Sequence, residues 1–153
     1  MDGGVHFTAG LRLLMGPENP LVSLSAYTTQ LQEHLPPVDT IDATAKAKNG
    51  ATGTISISFG TTFSGSEWTV ACQDGVVSVT PGKVTIGNKT EEVQDERSGV
   101  PPEMRAWGEA LAAGKANERQ SPEEALADLE LIEASLRSGE QGGKSIVLQH
   151  QTW

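Results

Sequence analysis

Asp2 and His6 are the residues whose types and spacing best suit chemistry in this chain. Four positions apart, they share one face of a helix, with Gly10 continuing the stripe. A carboxylate beside an imidazole orients the ring and fixes its tautomer, an arrangement suited to proton transfer near neutral pH. The plain alternatives are a helix-capping role for Asp2 and simple packing or exposure for His6. Arg12 on the same segment is a candidate substrate contact, or the partner of an acidic neighbour. Tyr27, Gln32 and His34 lie on or just past a predicted first strand, where they could line a pocket at a sheet edge or simply end the strand in solvent. Trp68 is a further candidate, as a lid over a sheet end or as core. The three histidines, His6, His34 and His150, form no motif, and no cysteine–histidine cluster has metal-ligand spacing, so no metal site is expected.

The elements that must position these residues follow from periodicity. Phe7, Leu11 and Leu14 give a helix over 4–15, stopped by Gly16-Pro17. The period then changes from 3.6 to 2. A strand is expected over 21–32. Thr40–Lys48 alternates Ile41, Ala43, Ala45 and Ala47 against polar residues, and Asn49-Gly50 turns it into a second alternating run ending at Phe59. Strands are also expected over 67–73, 76–79 and 83–86, with Cys72 as a small core residue and 87–100 as a loop. Together they make an antiparallel meander with one apolar face. A helix over 101–113 carries Met104, Trp107 and Leu111 to cover that face. A second opens at the capping box Ser121-Pro122-Glu123-Glu124 and carries Leu126, Leu129, Ile132 and Leu136. A final strand over 144–149 and a terminal Trp153, a candidate anchor, complete an α+β fold in a single domain over 1–153. The other sheet face is lined by Thr, Ser and Ala. It suits either solvent or close packing on a second sheet, and we expect a homodimer through it.

Bulk properties narrow the function. The 153 residues carry a net charge of −9 with 11 scattered basic residues, which argues against nucleic acid and against an anionic membrane surface. No apolar run approaches the roughly 18 residues of a membrane span. The first ten residues do not resemble a secretory leader, so a cytoplasmic protein with a small-molecule substrate is expected. Asn88-Lys89-Thr90 is a glycosylation sequon without meaning in that setting. Gly75 to Lys83 has the wrong spacing for a phosphate loop.

Several segments, in order, carry a family resemblance. Asp2-Gly3-Gly4-Val5-His6 resembles the D-x-x-x-H signature of the Gfo/Idh/MocA (glucose–fructose oxidoreductase/inositol dehydrogenase-like) family, and 7–16 resembles the helix that follows it. Lys48-Asn49-Gly50-Ala51-Thr52-Gly53 is similar to the family's NGA-x-G turn. Ser121–Ala125 and Ile132–Gly139 resemble the start and end of its penultimate helix, and DGGVHF…GLRLL is closest to fungal members. The resemblance covers nearly the whole chain and only the family's C-terminal, substrate-side half. It implies Asp2 and His6 in a substrate pocket, with His6 as acid/base or anchor, in proteins that move a hydride between NAD(P) and a sugar, polyol or related alcohol. The sequence has no G-x-G-x-x-G after a strand, and the family's catalytic lysine belongs to the other half, so no cofactor is expected on this chain alone. Three readings stand: a substrate-binding and oligomerising domain of an oxidoreductase; a cofactor-free isomerase, epimerase, lyase or cyclase of small-molecule biosynthesis using the same pocket; and a non-catalytic interaction module.

Overall fold

The computed structural model describes residues 1–94 and 99–151. A single 3-10 turn, Asp2–Gly4, leads into α1 (Val5–Met15). There follow β1 (Leu21–Thr29), β2 (Thr40–Ala47), β3 (Thr52–Ser58), β4 (Trp68–Cys72), β5 (Gly75–Thr80), β6 (Lys83–Ile86), β7 (Lys89–Glu92), α2 (Val100–Ala112), α3 (Pro122–Glu140) and β8 (Ile146–Val147). The chain forms two compact units, one of Met1–Phe63 with Leu126–Trp153 and one of Ser64–Ala125.

In the first unit the strand order is β3-β2-β1-β8, with every pairing antiparallel. Ile41, Ala43, Ala45 and Ala47 are buried while Asp42, Thr44 and Lys46 face out, as the alternation predicts. Asn49-Gly50 makes the β2–β3 turn: Gly50 takes φ +90°, which a side chain would strain, and the Asn49 side chain accepts the Ala51 amide at 3.0 Å. The core joins Leu21, Leu24, Ala26, Ile41 and Ile57 to Leu131, Ile132 and Ala134 of α3, with Val5, Phe7, Leu11 and Met15 of α1 packed alongside. Each fully buried Leu or Ile contributes about 1.5–3 kcal/mol.

The buried stripe of α3 is only partly the one that large apolar residues suggest: Ile132 is in the core and Leu136 packs against it. Ala127, Leu131, Ile132, Ala134, Ser135 and Ser138 are buried, whereas Leu126 and Leu129 are about half exposed. Small residues let the helix lie close to the sheet; a Cβ on Gly139 would run into the Thr28 side chain. Ser138 exploits this approach. Pairing of β1 with β8 stops at Leu24, and the Ser138 hydroxyl takes over, accepting the Ala26 amide at 2.8 Å and donating to the Lys144 carbonyl at 2.7 Å. The expected strand over 144–149 is accordingly only Ile146–Val147.

The second unit holds a separate antiparallel sheet, β4-β5-β6-β7. The meander is therefore two sheets, because the Gly- and Ser-rich run from Gly60 to Ser66 interrupts the alternation. β7 was not foreseen: Gly87-Asn88 is a tight turn, and four polar residues pair with β6 through backbone bonds that need no apolar pattern. Residues 95–98 of the expected loop lie outside the described residues, as does Trp153. Cys72 is exposed, not core, because it ends β4 at the turn into β5. Met104, Trp107 and Leu111 of α2 are 56%, 49% and 57% exposed, so the expected apolar cover is not formed by them. The Ser121 hydroxyl accepts the Glu124 amide at 3.1 Å, as the capping box requires.

Candidate functional site

Two glycines of the first five residues set the entry to α1. A Cβ on Gly4 would come 2.9 Å from Cδ1 of Ile132, so the bare backbone allows the first turn to lie on α3. A Cβ on Gly3 would lie 3.3 Å from the Phe59 ring, whose centroid is 6.3 Å from that of Phe7. The N-cap positions are Met1 and Gly4, so Asp2 is not the helix cap. Asp2 and His6 occupy successive turns and both are exposed.

The same end of the sheet carries the 30–38 connection. Its anchor, Asp39, is fully buried and was not foreseen. Its carboxylate accepts the amides of Leu31 at 2.9 Å and Gln32 at 2.8 Å and the Thr40 hydroxyl at 2.9 Å. Burial alone would raise the Asp39 pKa; the Gln32 amide, Thr40 hydroxyl, Leu31 amide and nearby His34 outweigh it and hold the carboxyl below its ordinary value. Gln32 donates its side-chain amide to the Gly60 carbonyl at 3.0 Å, and the Phe59 amide bonds the Asp39 carbonyl at 2.8 Å. Gln32 and His34 thus project from a pinned loop, joined through Phe59 to the turn that bears Asp2. An Asp directly before a strand of clean alternation was the one signal that could have marked this anchor.

The remaining candidates are placed otherwise. Arg12 is bonded to Asp128 at 2.6 Å and, through Nε, to Gln151 at 3.1 Å, so its guanidinium is engaged within the fold. Tyr27 lies opposite Asp42 on the outward face of the sheet, 70% exposed, its ring against the backbone at Gly143. Trp68 belongs to the second unit, half-buried and paired with Val79. An open groove of about 390 Å³ in that unit, lined by residues including Ala110, Lys115 and Arg119, contains none of the candidates.

The outward face of the first sheet is a grid of polar side chains, short except for Tyr27 in the rows that follow. Ser25, Thr44 and Thr54 form one cross-strand row, Tyr27, Asp42 and Ser56 the next, Thr29, Thr40 and Ser58 a third. Ser56 bonds Asp42 at 2.7 Å and Thr40 bonds Ser58 at 2.8 Å. No strand, glycine-rich turn and helix follow one another among the described residues, and Gly75–Lys83 is a hairpin. Among the described residues no cluster of His, Cys, Asp and Glu could hold a metal, and no helix is long and apolar enough to cross a membrane.

Comparison with known proteins agrees with this architecture. A dehydrogenase from Fusarium mangiferae, FPY6, is 38% identical over 150 residues, covering 90% of this chain and 42% of that protein. An oxidoreductase from Thermotoga maritima superposes with a TM-score of 0.81 at 28% identity, over 95% of this chain and 43% of its own. The WlbA dehydrogenase from Bordetella pertussis, solved with NADH and UDP-GlcNAcA, shares the fold at TM-score 0.72 and 24% identity, over 96% of this chain and 44% of its own. The chain thus spans less than half the length of these relatives. The model of the oxidoreductase family's C-terminal alpha/beta domain matches residues 1–147, and the chain belongs to that Gfo/Idh/MocA family.

Proposed function

We propose that this chain is the substrate-binding and oligomerising part of an oxidoreductase acting on a sugar, polyol or related alcohol. Asp2 and His6 line its pocket, and His6 anchors the reacting hydroxyl or moves its proton. The observation that supports this reading is the exposed placement of Asp2 and His6 on successive turns, held by Gly4 against Ile132 and by Gly3 against Phe59. Neither residue is spent on capping α1, whose N-cap is Gly4. Gln32 and His34, on the loop pinned by Asp39, supply further polar contacts to substrate. Hydride transfer then needs a dinucleotide site that these residues do not build. The Ser/Thr grid is the dimer surface, since short side chains permit close approach of two sheets.

Thermal shift of the chain against sugars and polyols, with and without NAD(H) and NADP(H), tests this. An organic ligand should raise Tm, and His6→Ala should abolish the shift. A ligand shift that survives both His6→Ala and Asp2→Asn would refute the pocket. Stabilisation by nucleotide alone would show a dinucleotide site in this chain. Turnover without nucleotide would favour a cofactor-free isomerase, epimerase, lyase or cyclase.

A further inference from the structure

A polar network joins α1 to the C-terminal segment through α3, and nothing in the proposed pocket chemistry uses it. The buried Thr8 hydroxyl shares its proton between the Val5 carbonyl at 2.9 Å and the Asp128 carbonyl at 3.0 Å, and Arg12 one turn later bonds the Asp128 carboxylate at 2.6 Å. Asp128 is thereby held through main chain and side chain at once. Arg12 Nε donates to Gln151 Oε1 at 3.1 Å. The Gln151 side-chain nitrogen donates to the Ala127 carbonyl at 2.8 Å and to Glu130 at 2.9 Å. Glu130 also accepts the backbone amides of Gln149 and His150. The last described residues are therefore tied down by two side chains, and Gln151 is buried.

We infer that the C-terminal segment 149–151 is a latch that sets the rotation of α1, and that Arg12, Asp128 and Gln151 are positioning residues for His6. This inference rests on the reading of His6 as a pocket residue. Helix geometry links the two ends. At about 100° per residue, Thr8 lies about 200° and Arg12 about 240° around the axis from His6. The gripped face is opposite the His6 face, so anchoring one aims the other outward. Apolar packing of Phe7, Leu11 and Met15 tolerates small rotations, because it is non-directional. A charge-assisted bond to a planar guanidinium, fixed on both sides, does not. Arg12 thus acts at a distance from the pocket and not as a substrate contact.

The test uses the whole chain and two variants that cut the same link. Gln151→Ala removes the acceptor of Arg12 Nε. Arg12→Lys keeps a cation for Asp128 but has no second planar donor. Amide exchange in α1 should accelerate about tenfold in Gln151→Ala, the loss expected for one charge-assisted bond. Exchange over Ile41–Ala47 should stay unchanged. The His6 imidazole cross-peaks should shift or broaden in both variants, less in Arg12→Lys. Imidazole peaks that coincide with the parent's in both variants would overturn the inference. So would exchange that accelerates equally in α1 and β2, since the network would then support the fold as a whole. None of these readouts needs a ligand, so a failed pocket reading, seen as ligand binding indifferent to His6→Ala, remains distinguishable from a failed latch.

Discussion

Ser138→Ala tests how the sheet edge is closed. Ser138 is fully buried, and its hydroxyl stands between the Ala26 amide and the Lys144 carbonyl where β8 no longer pairs with β1. Alanine fits the same space but removes both bonds and leaves the Ala26 N–H without its acceptor. An unsatisfied buried donor costs about 1–3 kcal/mol and a net hydrogen bond about 1 kcal/mol, so we expect a loss of about 2–4 kcal/mol. The described tryptophans, Trp68 and Trp107, belong to the second unit, so their fluorescence is a poor reporter. Native-state exchange at Ala26 reads the first unit directly. It should accelerate at least about thirtyfold, taking about 1.4 kcal/mol per factor of ten. Far-UV circular dichroism should show Tm lower by roughly 4–16 °C, at about 2–4 °C per kcal/mol for a chain of this size. A loss below about 0.5 kcal/mol with Ala26 still protected would refute the assignment of Ser138 as the bridge.

Two further predictions follow from the carboxylates and the grid face. Asp39 and Glu130 both sit below their ordinary values; burial opposes this, but the amides of Gln32 and Leu31 and the Thr40 hydroxyl prevail at Asp39, those of Gln149, Gln151 and His150 at Glu130. Each binds its proton less readily folded than unfolded, so its contribution is complete above the unfolded value, about 4, and is lost as pH falls through the folded one. Urea titrations from about pH 5 downward should show stability falling, less steeply in Asp39→Asn and Glu130→Gln; a flat profile to about pH 3 would contradict the bonding described. Thr44→Arg, at the centre of the Ser/Thr grid, should leave the monomer fold intact and convert a dimer to monomer in sedimentation; an unchanged sedimentation coefficient places the interface elsewhere.

Much of the fold is legible in the sequence where local rules and burial agree. The alternation at 40–47 marks the buried face of β2 residue by residue, since side chains on a strand must alternate. Asn49-Gly50 and Ser121-Pro122-Glu123-Glu124 mark a turn and a helix start because their chemistry is local. The order of these segments with D-x-x-x-H carries the family, later matched over 1–147. Tertiary structure alone decided the rest. It set Ala127, Ala134, Ser135 and Ser138 beside Leu131 and Ile132 in the contact stripe of α3, because how closely a helix approaches a sheet depends on both surfaces. It split the strands into two sheets, left Met104, Trp107 and Leu111 about half exposed, and put Cys72 in solvent. It engaged Arg12 with Asp128 and Gln151, residues 116 and 139 positions away. It also buried Asp39 beneath a loop whose amides it accepts. Periodicity tells which side of an element is apolar; only the packed chain brings partners so distant in sequence within hydrogen-bonding distance.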